Sequence, residues 1–425
     1  MMIQKSKIPI EIREILKRLG DQGYKSFIVG GAVRDLLLGK IPNDYDICTG
    51  ATPDKLKDIF HKVIDTGVKF GTVTVQNGNF FVEVTTFRKG VNGRSLEEDV
   101  KSRDFTINGL LFDGENLIDL VGGLKDLTKE IIRAIENPHD RFKEDALRML
   151  RAVRLRCQLG FEIEDVTFRS IYRHAHMIQG VAQERIRDEL VKILISDQPA
   201  DGLRILHDTG LLKFILPELD VCYNFDQKNF HHDKNVFDHI LAVIDNTPND
   251  LILRLSALLH DIAKPQTFAL DENGVGHFYL HNLKGEEISK TILTRLKFDG
   301  KTIDIVGTLV REHMSKLSLL RGSTIKRLIN RVGRENIFKL IDLQIADEKG
   351  SAPPHNFKIF EDLKKEIDKI FTNNDPLTLG DLAIGGRDLQ ELGFQPGPDM
   401  GKVLNMLLNR VIKKPKLNKK EILVK

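Results

Sequence analysis

Two aspartates separated by one residue, Asp44 and Asp46, are the most chemically specific feature of the sequence. The run Tyr45-Asp46-Ile47-Cys48 reads as a short strand. Residues two apart in a strand project to one face, so both carboxylates stand together while Tyr45 and Ile47 face the other way. Two like charges that close are unfavourable unless a cation lies between them. Mg²⁺ carrying a nucleoside triphosphate is the natural partner. Upstream, Gly30-Gly31-Ala32-Val33-Arg34-Asp35 and then Gly39 follow the apolar run Phe27-Ile28-Val29. Glycines at a strand-to-helix turn let phosphate approach the backbone, and the helix N-terminus adds amides and a positive dipole. Each feature alone is weak, because turns need glycine and paired aspartates also decorate solvated turns. Together they favour a metal–nucleotide site. Glu83, in Val82-Glu83-Val84, either completes the metal set or is an exposed strand residue.

A second group follows: Lys101-Ser102-Arg103-Asp104-Phe105-Thr106-Ile107-Asn108, then Glu144 to Arg154. Read as one helix, the latter places Ala146, Leu150 and Val153 on one face and Asp145, Arg148 and Arg151 on the other. An Asp and an Arg one turn apart ordinarily form a modest ion pair. They also offer one acceptor and several donors, a set that can read the edge of a base. The dense cluster from Glu184 to Glu189 reads as a solvated helix face.

A third group is rich in histidine: His239, the pair His260-Asp261 closing the apolar helix 251–259, then His281, His313 and Asp347. Imidazole and carboxylate suit a divalent transition metal, or Mg²⁺ with mixed ligands. Adjacent helix residues lie about 100° apart, so His260 and Asp261 can both tilt toward one ion. Any one of these histidines taken singly reads as a helix-end or core residue.

The elements that must position these groups are legible in outline. Ile12, Ile15, Leu16 and Leu19 recur at helical spacing, and Thr52-Pro53-Asp54 is a helix start. Val73-Thr74-Val75 and Phe80 to Val84 flank Asn77-Gly78, a hairpin signal. The first third is therefore α+β with an antiparallel pair. From about Asn137 onward nearly everything reads as helix, with joints at Pro353-Pro354 and Thr372 to Pro376. The Lys-rich end, Val411 to Lys425, reads as a mobile segment.

Composition bounds the partners. The 425 residues hold 64 Lys+Arg against 61 Asp+Glu, a net charge of +3, which excludes a uniformly basic coat but not local basic strips. One strip is 402–425, with eight basic residues against the single acid Glu421. Trp is absent, so base stacking would fall to other side chains. Cys48, Cys157 and Cys222 are scattered and odd in number, which favours a reducing cytoplasm over a disulfide framework. The N-terminus lacks a signal-peptide stretch and no run suggests a membrane span.

The ordered set Gly30–Asp35, Asp44/Asp46, Arg103–Asn108, Glu144–Arg154 and Glu184–Glu189 resembles the bacterial class II tRNA nucleotidyltransferases. That family includes CCA-adding enzymes and bacterial poly(A) polymerases, within the DNA polymerase beta superfamily. The stretch around Gly385 to Leu389 and Pro396-Gly397-Pro398 resembles the family's tail. The resemblance implies a small α/β head with a mixed or antiparallel sheet over 1–137. It implies a helical neck over 138–205, a helical body over 206–365 and a helical tRNA-binding tail over 366–425. It implies addition of CMP, and AMP with it, to the tRNA 3′ end from CTP and ATP, with two Mg²⁺ ions on Asp44 and Asp46. Gly31 and Arg34 would hold triphosphate, Arg103 and Asp104 would contact sugar or phosphate, Asp145 and Arg148 would select the base, and Arg151 and Arg154 would support them. His239, His260, Asp261 and Asp347 resemble the HD superfamily of metal phosphohydrolases, with His281 and His313 extending the set to two metals.

Two features depart from the family pattern. Ser102 stands where an Arg is usual, and Gly109 where Ala is usual. The segment 87–100 is short, as in members that stop after two cytidines. Poly(A) polymerase, a metal-dependent phosphohydrolase whose head only binds nucleotide, and a non-catalytic RNA-binding module are the competing expectations.

Overall fold

The computed structural model describes residues 3–90, 93–228, 234–315 and 322–425. The chain divides into two compact units, Met1–Glu189 with Arg204–Ile215, and Leu190–Leu203 with Leu216–Lys425.

The strands of the first unit include β1 (Ser26–Val29), β2 (Asp46–Thr49), β3 (Val63–Gly67), β4 (Thr72–Asn77), β5 (Phe80–Thr86), β6 (Lys89–Gly90), β7 (Gly93–Arg94), β8 (Leu110–Phe112) and β9 (Leu117–Asp119). Seven of them form one sheet in the order β3-β4-β5-β2-β1-β8-β9. The β2–β5 pair is parallel and the other pairs are antiparallel. Asp46 therefore opens the middle strand, in register with Glu83. One face buries Phe27, Val29, Cys48, Phe87, Val100 and Leu111. The hairpin turn between β4 and β5 is Gly78-Asn79, because Asn77 still pairs with Phe80. Gly78 takes the left-handed conformation (φ 56°) that the turn requires.

The helices that accompany the strands include α1 (Ile10–Asp21), α2 (Gly31–Leu37), α3 (Pro53–Ile59), α4 (Leu96–Lys101), α5 (Gly123–Thr128), α6 (Pro138–Glu144), α7 (Leu147–Leu159), α8 (Asp165–His174) and α9 (Gln183–Leu194). The apolar stripe of α1 (Ile12, Ile15, Leu16, Leu19) is buried, as its spacing predicts. The Ser95 hydroxyl caps α4 by accepting from the Glu98 amide at 3.2 Å.

The helix expected across Glu144–Arg154 is two helices. Asp145 between them is extended (φ −150°, ψ 103°), and its carboxylate accepts from the Leu147 amide at 3.1 Å. A short acidic side chain that bonds nearby amides competes with the helical backbone, which is why the break falls there.

Residues beyond 138 are mostly helical, with two exceptions. Glu162–Ile163 pairs in parallel with Ile131–Ile132, and Phe268–Leu270 pairs antiparallel with Gly276–Phe278. Both ladders are too short to show a period in sequence, although the hairpin carries the turn signal Asn273-Gly274. The C-terminal segment is not a free end. Val411 and Leu423 are buried with Ile384 and Leu389 in a small core of their own, against Leu404, Leu407 and Leu417.

Candidate active site and a buried histidine cluster

The alternation expected around Asp44 and Asp46 holds, although Asp44 precedes the strand. Both aspartates are exposed, while Tyr45 and Ile47 are buried. Partial enclosure first, then the charge of Glu83, then that of Asp44, push the Asp46 carboxyl up to about 6, with Arg103 and Arg151 offsetting part of the rise. Three carboxylates crowded at one place are the oxygen donors that suit a hard divalent cation, so these residues fit a Mg²⁺ site.

Asp46 and Glu83 line a cavity of about 310 Å³, together with Gly30, Gly31, Arg103, Asp104, Asp145, Arg148 and Arg151. Gly30, at φ 70°, turns the chain from β1 into α2. A Cβ there would stand 3.7 Å from Arg103 Nη1 and 3.9 Å from Asp46 Oδ2, so glycine keeps this corner open. Arg103 is held by the buried carboxylate of Asp99 at 2.9 Å.

Several residues expected to touch nucleotide are held by protein partners. Asp104 accepts from the Phe105 amide (2.8 Å) and from Asn108 (3.1 Å), and pairs with Arg151 (3.1 Å). Although burial opposes it, Arg151 holds the Asp104 carboxyl below its ordinary range. Arg34 is buried, is not part of the cavity wall, and donates to Asp35 (2.9 Å) and Asn108 (2.7 Å). Arg154, also outside the wall, pairs with Glu189 at 2.6 Å. Asp145 and Arg148 both line the cavity but are not paired with each other. Arg148 donates to Glu144 (2.8 Å), to the Arg141 carbonyl (3.1 Å) and to the Ser102 carbonyl (2.7 Å). Asp145 is gripped by Arg185, a member of the cluster read as a solvated face. Asp99, Asn108 and Arg185 are the residues that sequence reasoning did not single out. Only Asp99 left a signal, four residues before Arg103.

The two substitutions relative to the family pattern are explained locally. The Ser102 hydroxyl donates to the Asp99 carbonyl at 2.6 Å while its own carbonyl holds Arg148. At Gly109 a Cβ would lie 2.7 Å from Val121 Cγ2, so this packing excludes alanine unless Val121 moves. Within the short segment 87–100, β6 pairs with β7; Val91 and Asn92 lie outside the described residues.

In the second unit the six histidine-group residues come together. His239 Nε2 lies 3.4 Å from Asp261 Oδ2 and 3.0 Å from Asp347 Oδ1. His260 Nε2 lies 3.3 Å from both His239 Nε2 and Asp261 Oδ2. On the other side, Asp261 Oδ1 is 3.4 Å from His281 Nε2 and 3.9 Å from that of His313. Two buried triads, His239–His260–Asp261 and Asp261–His281–His313, thus share one carboxylate. His260, His281 and His313 each donate Nδ1–H to a main-chain carbonyl, of Ala257 (2.8 Å), Phe278 (2.9 Å) and Val310 (2.6 Å). That fixes the tautomer and leaves Nε2 as the ligand atom facing the cluster. Burial, then the neighbouring His260, push the His313 imidazole down to about 4, so it is neutral near pH 7. Against its burial, His260 and Lys264 hold Asp261 well below the usual carboxylate range. The donor set fits divalent metal. Lys264, missed in the sequence, bonds Asp261 at 2.7 Å and Gln227 at 2.8 Å.

Three family descriptions match the chain: the poly A polymerase head domain over residues 26–133, the RNA and SrmB-binding site of polymerase A over 160–223, and tRNA nucleotidyltransferase domain 2 over 277–425. The CCA-adding enzyme of Ligilactobacillus salivarius is 35% identical over 435 aligned residues, covering 98% of this chain and 96% of that protein. The CCA-adding enzyme of Levilactobacillus brevis is 33% identical, covering 97% and 96%. Among solved structures, the Bacillus stearothermophilus CCA-adding enzyme in complex with CTP superposes with a TM-score of 0.75 at 28% identity, covering 97% of this chain and 94% of that one. The Thermotoga maritima CCA-adding enzyme complexed with tRNA shares the fold at 20% identity, with a TM-score of 0.61 and coverage of 98% and 95%. With a cavity that gathers carboxylates and arginines, and with relatives matched along nearly their whole length, the chain belongs to the CCA-adding enzyme family of tRNA nucleotidyltransferases.

Proposed function

We propose that this chain extends the tRNA 3′ end with CMP from CTP, and that it favours stopping after two cytidines. The observation that supports it most is one cavity holding both the carboxylates Asp46 and Glu83 and the pair Asp145 and Arg148. Asp44 and Asp46, with Glu83 beside them, hold the divalent metal, Mg²⁺ by the hardness of its oxygen donors. When bound, that metal lowers the pKa of the attacking 3′-hydroxyl and neutralises the departing pyrophosphate. The Gly30-Gly31 turn admits the triphosphate to the backbone, and Arg103 and Arg151 supply positive charge to it. Arg34 and Arg154 act behind the wall by holding Asn108 and Glu189, and Asp104, on the wall, holds Arg151. Asp145 accepts from the base's amino group and Arg148 donates to its ring acceptors. The 3′-oxygen bonds to the α-phosphorus as the bond to pyrophosphate breaks, so the protein positions and neutralises without a covalent nucleophile.

The CC bias rests on the short 87–100 segment, which resembles that of members that stop after two cytidines. Incubation with tRNA lacking its 3′ end, CTP and ATP tests this. A two-nucleotide extension is expected, and efficient terminal adenylation would overturn the bias.

A second reading attaches to the histidine cluster: a divalent transition metal on His239, His260, Asp261 and Asp347, with His281 and His313 as a second set, hydrolysing a phosphoester. The fixed tautomers support it. A phosphatase assay with Mn²⁺, Ni²⁺ or Co²⁺, repeated on Asp261→Ala, decides. Functionally we divide the chain into head (1–137), neck (138–205), body (206–365) and tail (366–425). The separate small core around Val411 and Leu423 supports the tail boundary. Among the described residues, no disulfide joins the three cysteines and no helix is long and apolar enough to cross a membrane.

A further inference from the structure

We propose that His277 is the general acid of the histidine-cluster cavity, giving a proton to the leaving oxygen of phosphoesters whose alcohol is a poor leaving group. This rests on the reading of that cluster as a phosphoester hydrolase. A cavity of about 320 Å³ opens on the cluster, and His277 lines it together with Asp261, Lys264, His281, His313 and Asp347. His277 stands on the second strand of the hairpin Phe268–Leu270 and Gly276–Phe278, opposite Ala269. Its Nε2 donates to Asp271 Oδ2 at 3.0 Å. The other oxygen of Asp271 accepts from the Asn273 and Val275 amides, both at 2.9 Å, so the turn holds the carboxylate and the carboxylate holds the ring. Tyr279 stacks on the face of the imidazole, 5.5 Å between centroids and 15° from parallel. The same strand orients a ligand, since the Phe278 carbonyl accepts from His281 Nδ1 at 2.9 Å. The place of His277 relative to the cluster is therefore set within a few residues of chain.

His260, His281 and His313 have no proton to give, because their N–H groups are spent on main-chain carbonyls and Nε2 is the ligand atom. Lys264 is drawn to Asp261 (2.7 Å) and Gln227 (2.8 Å). His277 differs from all of these. Its side chain is one-third exposed, and the bond to Asp271 commits Nε2 and leaves Nδ1 to carry the transferable proton. Asp271 thus acts as a positioning residue, fixing the tautomer and the ring angle. In the step, a water oxygen bonds to phosphorus as the ester P–O bond breaks. The departing oxygen takes the Nδ1 proton of the imidazolium and leaves as an alcohol. The phosphate keeps both hydrogens of the water, and His277 regains its proton from solvent. An alkoxide needs that proton, whereas p-nitrophenolate leaves without it.

Hydrolysis of glycerol 2-phosphate and of p-nitrophenyl phosphate by the full chain, with Mn²⁺, Ni²⁺ or Co²⁺, tests this on the native protein, His277→Ala and Asp271→Asn. For His277→Ala, kcat on glycerol 2-phosphate is expected to fall about 100-fold, the scale of general acid catalysis, against less than about threefold on p-nitrophenyl phosphate. Asp271→Asn should show the same selectivity by a smaller factor. Calorimetric titration with the metal alone supplies a readout apart from turnover: affinity in His277→Ala should stay within about twofold of native, because His277 is not a ligand. Equal losses on the two esters, or no loss on either, would overturn the role of His277. A matching fall in metal affinity would overturn it too, by making His277 part of the metal site. A native chain that binds the metal in calorimetry and hydrolyses neither ester would overturn the hydrolase reading, and this inference with it.

Discussion

Asp46 carries a cost in the metal-free chain, since partial enclosure and the charges of Glu83 and Asp44 push its carboxyl up to about 6. Between that value and the ordinary Asp pKa of about 4, the folded chain binds more protons than the unfolded one, so this residue's contribution to stability falls as pH rises. Asp46→Asn removes the penalty. In EDTA above pH 6 the variant should melt higher than the native chain, the difference closing below about pH 4. Mg²⁺ should raise the Tm of the native chain more than that of the variant. Thermal unfolding across pH, with and without Mg²⁺, reads all three. Single residues were legible where chemistry depends on near neighbours: Asp44 and Asp46 needed only the two-residue period. Arg185 was not legible, because its partner Asp145 lies 40 positions away and the charges around it look like any solvated helix.

Among the elements, the turns and packing around Gly30 and Gly109 decide whether the cavity wall forms. Gly109→Ala should cost about 1–3 kcal/mol by overpacking Val121, and the double variant with Val121→Ala should recover part of it. Urea unfolding of the two variants and the native chain checks this. The α+β character of the head followed from Phe27-Ile28-Val29, the Asn77-Gly78 signal and the absence of a βαβ series. The seven-strand order was beyond sequence, because β5 joins β2 in parallel across residues far apart in the chain. The helix break at Asp145 was hidden for another reason: the 3.6-residue period continues across it, and only the side-chain bond to the Leu147 amide reveals it. The six residues of the histidine cluster were legible by residue type. Lys264 was not, since a lysine one turn after Asp261 ordinarily points to solvent.

For the whole molecule, two cavities with different donors lie on separate compact units: carboxylates and arginines on one, histidines around Asp261 on the other. Substitutions without shared partners act independently. Asp261→Ala should abolish tight Mn²⁺, Ni²⁺ or Co²⁺ binding in calorimetry while CMP transfer stays within about twofold. The near-neutral net charge of +3 conceals the basic strip at 402–425, so tRNA affinity should weaken steeply with salt despite the balance. The most direct test of CMP addition to tRNA is extension of tRNA lacking its 3′ end, resolved to single nucleotides, with CTP alone, ATP alone and both. The native chain should add two cytidines from CTP and then stop, and Asp46→Ala should add none. No extension from CTP, or a long adenylate ladder from ATP, would contradict it.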